Sequence, residues 1–304
     1  MASTGLTGYL APEGHIEDLL AELGEVGEVH GRLVLAEGPA RPAAWVANLW
    51  RNPERLAIAS IADAATQLRA RRNWALYPHQ LHRRAALIAE RLPHVGAKPL
   101  VFPAAAPSAP LGSWMLLDAG TILAASDCTS PFPNGEARFV EDREGSPNRA
   151  YLKLWEALTL IDRHPGPGDL CLDLGASPGG WSWVLAKLGA RVIAVDKAPL
   201  APAVVAMPGV EVRQASAFSI EPALLGPVDW LFSDVICYPA RLLALVERWL
   251  AAGTARNLLC TIKFQGATDH ATARRFAAIP GSRLMHLHHN KHELTWIMLA
   301  EGAR

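Results

Sequence analysis

The sequence predicts an α/β protein: a seven-stranded, mostly parallel sheet wound on both faces by helices, preceded by a smaller α+β module. Three observations predict it. From residue 148 onward, short apolar runs alternate with stretches of helical apolar spacing, the pattern of parallel strands joined by crossover helices. A glycine-rich turn, DLGASPGGWS at 173–182, follows the first of those runs. Between the two halves, residues 92–110 carry five prolines, which deny both helix and central strand.

In the first module, 15–24 has helical spacing, 29–38 reads as a strand, and 78–92 reads as a helix with Leu81, Ala85, Ile88 and Leu92 on one face. This gives an α+β domain over 1–110, a connector over 111–147 and an α/β domain over 148–304. In the last, strands are expected at 170–174, 191–196, 210–214, 229–233, 258–263, 283–288 and 294–299. Helices are expected near 148–162, 180–189, 219–225, 239–252 and 268–278. The last two strands are joined by a connection too short for a parallel crossover, so the final strand should run antiparallel.

Composition narrows the function classes. At 304 residues and half apolar, the chain is long enough for two cores. Its 29 basic and 29 acidic side chains balance, and residues 1–150 hold 14 and 16 of them, so any anion-binding surface must be local. Arg69, Arg71, Arg72, Arg83, Arg84 and Arg91 crowd two neighbouring segments, which fits a phosphate-contacting face and equally a solvated helix face. The four cysteines form no C-x-x-C pair and read as buried thiols. The N-terminal MASTGLTGYLAPEG lacks the charged and apolar regions of a leader, and no window approaches a membrane span, so a reduced, cytoplasmic, soluble protein is expected. His286, His288, His289 and His292 cluster without cysteine or acidic ligands at zinc spacing, and no metal site is expected.

In a doubly wound sheet, ligands sit at the carboxyl ends of the strands, where the glycine turn lies. A phosphate-cradling loop would need a lysine after its last glycine, and a dinucleotide fingerprint would need G-x-G-x-x-G. Here the glycines stand at 175, 179 and 180 with no lysine. What fits is S-adenosylmethionine. Asp173 can face its amino and sulfonium cations, and Gly175, Gly179 and Gly180 let the backbone approach. Asp196, 23 residues after Asp173, suits the ribose hydroxyls or else caps its own turn. Trp181 is expected to help shape the cofactor end.

DLGASPGGWS, with Ser177 and Pro178 inside the turn, and VDKAP further on resemble the cofactor motif of the FtsJ-type RNA ribose 2′-O-methyltransferases. The resemblance implies a Rossmann-like methyltransferase domain and a Lys-Asp-Lys-Glu tetrad, for which Lys153, Asp234, Lys263 and Glu293 stand in order. The strand pattern agrees. Asp234 and Lys263 lie at carboxyl ends of strands, and Glu293 enters a reversed strand on the same edge. The segments SPFPNGEARFVEDREGSPNRAYLKLWEAL and LTWIML further resemble the RlmM-type bacterial enzymes that methylate a cytidine ribose in 23S rRNA, over about residues 126–299. In that family a THUMP-type RNA-binding module occupies the place of residues 1–110.

QASAFS at 214–219 departs from the family in lacking an acidic residue near Ser216, which leaves Phe218 and backbone groups for the adenine. The implied reaction is in-line methyl transfer to a ribose 2′-hydroxyl with Lys263 as base. A lysine ordinarily titrates near about 10.4, so Lys263 must be shifted down, by the cation at Lys153 and by desolvation under bound RNA. Asp234, also close to the methyl-donor end, and Glu293 would orient the lysines. The partner is then an RNA, most plainly large-subunit rRNA. Methylation of a tRNA or an mRNA cap, and a non-catalytic RNA-binding ribosome-assembly factor that retains the fold, remain open alternatives.

Overall fold

The computed structural model describes residues 5–71, 73–95 and 98–300. They fall into two units, one built from residues up to 100 with 106–138 and the other from 101–105 with 139 onward.

The first unit contains, in order, β1 (Leu6–Leu10), α1 (Ile16–Leu23), β2 (Val29–His30), β3 (Leu33–Glu37), β4 (Asn48–Arg51), β5 (Glu54–Ala57), α2 (Ile61–Arg69), β6 (Asn73–Leu76), α3 (His82–Ala89), β7 (Leu111–Asp118), β8 (Thr121–Ala125) and β9 (Asp127–Cys128). Its strands form two sheets, ordered β2-β3-β1-β4-β9 and β5-β8-β7-β6. Three features differ from the sequence reading. The segment 29–38 is a hairpin rather than one strand, turning at Gly31–Arg32 so that Val29 pairs with Val34. Helix α3 begins only at His82, because Leu81 takes a left-handed conformation and points its side chain to solvent. Ala85 and Ile88 alone of the expected face are fully buried, with Leu92 packed at the edge of the cluster.

The third difference is a correction to the domain boundaries. Residues 111–128, read as connector, form β7, β8 and β9, and β7 pairs with both β6 and β8 at the centre of this unit. Trp114 and Met115 of β7 are fully enclosed. The proline-rich stretch marks where the chain leaves the sheet, not where the unit ends. Of the arginine group, Arg71 pairs with Glu54 at 2.9 Å, Arg69, Arg83 and Arg91 are exposed, and Arg84 is half-buried. Arg72 and the first four residues of the N-terminal segment lie outside the described residues.

The second unit contains α4 (Tyr151–Ile161), β10 (Leu170–Leu174), α5 (Gly180–Lys187), β11 (Arg191–Asp196), α6 (Pro202–Val205), β12 (Val210–Gln214), α7 (Pro222–Leu225), β13 (Val228–Ser233), α8 (Pro239–Ala252), β14 (Ala255–Lys263), α9 (His270–Ala277), β15 (Ser282–Met285) and β16 (Glu293–Met298). Among the described residues, its strands form a seven-stranded sheet ordered β12-β11-β10-β13-β14-β16-β15. β16 runs antiparallel to both of its neighbours. The other contiguous pairs are parallel. The central strands LCLDL and VDWLFS are apolar on both faces because helices cover both. Helix α8 has Pro239 in its first turn and Gly253 at its C-cap in the left-handed conformation, the favoured order for start and stop.

Chain order moves outward from β10 through β11 to β12, then crosses back to β13 and β14 on the other side. That reversal opens a crevice at the carboxyl ends of β10 and β13. Everything of chemical interest in this unit gathers along that edge.

β15 is shorter than expected, ending at Met285 instead of 288, so His286 to His292 form a loop rather than an alternating strand. A physical cause is visible: the N–H groups of His288 and His289, which a ladder would use, donate to the buried carboxylate of Glu156. Cys171, Cys237 and Cys260 are buried free thiols, and Cys128 is half-buried. Among the described residues no helix is long and apolar enough to cross a membrane, and no three His, Cys, Asp or Glu side chains gather as a metal cage.

Candidate functional site

The site is assembled from five places in the chain. Helix α4 is enclosed from Tyr151 to Thr159, apolar on nearly every side, yet it carries Lys153 and Glu156. A helix hydrophobic all round is a core helix, and two charges inside one must each find partners. Lys153 Nζ lies 2.9 Å from Asp234 Oδ1 and 2.9 Å from Glu293 Oε1. Asp234 stands one residue past β13, at the crevice, and Lys263 is the last residue of β14. Glu293 opens β16 directly opposite Lys263 in the antiparallel register.

Lys263 Nζ lies 3.1 Å from Asp234 Oδ1 and donates to the Asp234 carbonyl at 2.6 Å. The structure thus brings Lys153, Asp234, Lys263 and Glu293 into one connected cluster, with Asp234 Oδ1 shared between the two ammonium groups. Lys153 has two carboxylates and Lys263 has one carboxylate and a carbonyl. Burial of Lys153 works against its charge, but Asp234 and Glu293 together outweigh it and hold the ammonium above the usual lysine range. Lys153 is therefore a fixed cation. Lys263 has a third position on its nitrogen, and it lines a pocket with Arg149, Lys153, His289, Lys291 and Glu293.

The glycine turn forms the neighbouring wall. The N–H of Gly175 donates to Val195 O at the end of β11 (2.9 Å), and the N–H of Ser177 donates to Asp196 Oδ2 at 3.0 Å. Gly175 has φ +84°, and a Cβ there would lie 2.7 Å from the Val235 Cα. The alanine variant meets both a left-handed penalty and a backbone clash. At Gly180 a Cβ would run into Asn148 Oδ1, so the first turn of α5 abuts the segment leading into α4. We expect Gly175→Ala to cost at least about 1–2 kcal/mol, lowering Tm by roughly 2–4 °C for each kcal/mol. A thermal melt checks this, and coincidence with the wild type would mean the turn tolerates a side chain.

Asp173 is completely enclosed. Its Oδ2 accepts the Ser182 hydroxyl at 2.6 Å, while Oδ1 has no partner. Burial pushes the carboxyl up to about 7, with the charges of Asp234 and Asp196 adding to that and Ser182 opposing it. Asp196 does cap its own turn, accepting from Ala198 N at 2.9 Å, and it also holds the glycine turn through Ser177. Each of its oxygens keeps one lone pair.

The remaining expected residues lie in the turn itself, in the segment 216–218 and on α5. The Ser177 hydroxyl turns to Pro199 O at 2.8 Å, and Pro178 O accepts from Ala201 N, so both stitch the turn to the loop after β11. The Gly179 Cβ position is pressed by Val204 of α6. Ser216 caps a short 3-10 turn at 217–219 through Phe218 N, and the Arg241 guanidinium lies 3.8 Å from the Phe218 ring centroid. Trp181 is placed differently from the expectation. It is 3% exposed, packs edge-on against Phe232, and donates its indole N–H to Ala150 O at 2.9 Å, bracing α5 against the start of α4.

Glu156 and Ser182 were not singled out from the sequence. A glutamate three residues after Lys153 in an otherwise apolar helix was the available signal. It is 2% exposed and accepts from His288 N, His289 N and His289 Nδ1 at 2.7, 2.9 and 2.7 Å.

Comparison with known proteins adds the following. Residues 147–272 match the FtsJ-like methyltransferase family model. The chain is 36% identical over 172 residues to ribosomal RNA large subunit methyltransferase M of Halorhodospira halophila, covering 54% of this chain and 50% of that protein. It is 37% identical over 159 residues to the protein of the same name from Azotobacter vinelandii, covering 50% and 44%. The chain thus spans about half the length of the curated relatives it matches. Among solved structures, the fibrillarin of Aeropyrum pernix with natively bound S-adenosyl-L-methionine aligns at TM-score 0.37 and 15% identity, over 61% of this chain and 81% of that one.

Proposed function

We propose that this chain, whose residues 147–272 are an FtsJ-like methyltransferase domain, transfers a methyl group from S-adenosylmethionine to a ribose 2′-hydroxyl of RNA, with a cytidine of large-subunit rRNA as the target. The observation that carries the reading is the paired cluster of Lys153, Asp234, Lys263 and Glu293 beside the glycine turn. The name that these relatives bear, ribosomal RNA large subunit methyltransferase M, points to the same substrate class.

The turn fits the cofactor. The enclosed Oδ1 of Asp173 has no hydrogen-bond partner, so a cation reaching it as the cofactor seats would satisfy a buried acceptor. At Gly175 the missing Cβ lets the turn pack directly against the Val235 backbone, which sets the turn beside Asp234 where the crevice opens. Asp173 would take the cationic amino acid end, Asp196 the ribose, and Ser216, Phe218 and the backbone of 214–219 the adenine, with Gly175, Ser177, Pro178, Gly179 and Gly180 shaping the loop. When bound, the cofactor supplies an electrophilic methyl on a sulfonium.

A ribose hydroxyl is a poor nucleophile until its proton is shared or removed. Lys263 is the residue placed to accept that proton, through the one nitrogen position not committed to Asp234. Lys153, kept charged between two carboxylates, holds Asp234 and Glu293 in place and so fixes where Lys263 can point. Alignment of hydroxyl and methyl supplies much of the remaining acceleration. Exposed Ile236 and Tyr238 follow Asp234 within four residues, 77% and 66% exposed, and such side chains suit unpaired bases. The first unit, with its exposed arginines on α2 and α3, would be the RNA-gripping module, in the place of a THUMP domain.

The test is mass mapping of ribose methylation in rRNA from cells with and without this protein. One large-subunit cytidine should lose its methyl when the protein is absent; an unchanged large-subunit rRNA would sink the substrate.

A further inference from the structure

We propose that Lys291 and His289 form a sugar-phosphate subsite for the RNA strand beside the methyl acceptor, Lys291 binding a phosphate and His289 Nε2 accepting a hydroxyl of a neighbouring ribose. This rests on the reading of the site as an RNA ribose methyltransferase.

The chemistry of the acceptor requires a phosphate nearby. Every internal RNA ribose carries its 3′-phosphate on the carbon adjacent to the 2′-hydroxyl. A hydroxyl held at Lys263 therefore brings an anion to the same pocket. The pocket's cations are not equally available to it. Lys153 and Lys263 are neutralised by Asp234 and Glu293. Arg149 reaches away to Glu141 at 2.7 Å. Lys291 is exposed and its ammonium has no ion pair among the described residues. Its backbone is nonetheless fixed, since its carbonyl accepts from His286 Nε2 at 3.0 Å and its N–H approaches Glu293 Oε1 at 3.4 Å. The result is a free cation on a held stem.

His289 is oriented by a different device. The Glu156 carboxylate already accepts two backbone N–H groups, from His288 and His289, so Nδ1 of His289, 2.7 Å away, must be the donating nitrogen. With Nδ1 committed to Glu156, Nε2 is the nitrogen left for a ligand, and it makes no hydrogen bond among the described residues. Phe139 packs at 5.7 Å from the ring and limits its rotation. An acceptor on a ring that lines the pocket, beside a phosphate site, suits a 2′-hydroxyl, the group that distinguishes RNA from DNA. Glu156 is in this account a positioning residue, setting the tautomer of His289 and the path of the loop that carries Lys291.

The experiment measures binding of an oligoribocytidine and of the matching 2′-deoxy oligomer by the full chain, over a range of salt, with S-adenosylmethionine titrated separately. Lys291→Ala should weaken the ribo-oligomer about tenfold and lower the salt slope by about 0.7, the value for one phosphate contact on a single strand. His289→Phe, which keeps an aromatic ring and removes both nitrogens, should lose most of the preference for the ribo- over the deoxy-oligomer. Cofactor affinity should stay unchanged in both, which also shows that they fold. If the wild type methylates RNA while both variants keep its affinity, slope and sugar preference, the subsite is wrong and the enzymatic reading stands. If the wild type neither binds nor methylates RNA, the reading falls and the subsite with it. Lys291→Glu, a surface change that leaves folding intact, should deepen the loss seen with alanine, and an unaltered affinity would again overturn the subsite.

Discussion

Replacing Lys263 with alanine is expected to lower the rate of methyl transfer by at least about 10²-fold, and by up to about 10⁴-fold, the range associated with a positioned acid or base. S-adenosylmethionine affinity should change by no more than a few-fold. The basis is positional. Lys263 is the end residue of a core strand, with its nitrogen held 3.1 Å from Asp234 Oδ1 and 2.6 Å from the Asp234 carbonyl. The alanine variant loses both bonds but leaves Asp234 paired with Lys153 at 2.9 Å, so the rest of the cluster persists. Lys263→Arg separates charge from proton transfer: the guanidinium keeps the positive charge but does not deprotonate, so this variant should fold, bind cofactor and remain inactive. Single-turnover kinetics on unmethylated large-subunit rRNA, with cofactor titrated by calorimetry, reads both quantities. Turnover near the wild-type rate in the alanine variant would remove Lys263 as base.

The sequence carried the second unit well for a physical reason. β10, β13 and β14 are buried on both faces, and continuous apolar runs such as LCLDL and NLLCTIK are hard to place anywhere else. Once the strands are located, their carboxyl ends follow, and Asp234, Lys263 and the start of β16 at Glu293 come to one edge by topology. Contacts between a strand and a distant helix are different. Nothing in the local pattern of AYLKLWEALTL says that Glu156 reaches His288 and His289, 132 and 133 residues away, and that one carboxylate ends β15 early.

The first unit was less legible because its pairing is non-local. β7 lies beside β6 across the whole proline-rich stretch, so a reading that divides the chain at the prolines separates strands that belong to one sheet. The hairpin at 29–38 failed in the opposite way. Its strand β2 has only two residues, too few for alternation to register, and Gly31 was the lone signal of the turn. Trp181 shows a third limit: adjacency to the glycines suggested a pocket wall, whereas its size and its indole N–H suited a buried brace.

Cofactor affinity should depend on pH through Asp173, rising as pH increases toward about 7 and levelling off above it. The sign follows from the raised pKa. In the free protein the enclosed carboxyl holds its proton up to about 7, whereas in an unfolded chain it would lose it near the ordinary aspartate value of 3.8. Its contribution to the stability of the cofactor-free fold is therefore present below 3.8 and is lost as pH rises through about 7. A cofactor cation reaching the unpartnered Oδ1 would reverse the preference, because it favours the charged carboxylate. Binding below about pH 7 must then release a proton, and each unit of pH below that point should weaken the affinity about tenfold. The cofactor's own α-amino group titrates near about 8, so the rise is confined to the more acidic side. Asp173→Asn removes the titration, and its affinity should be weaker at neutral pH and flat between pH 5.5 and pH 7 on the order of experimental scatter. Calorimetry in buffers of different ionisation enthalpy counts the protons directly. Equal affinity in the wild type and in Asp173→Asn at pH 7.5, with no proton released by either at pH 6, would leave Asp173 only the role of holding Ser182 and the start of α5.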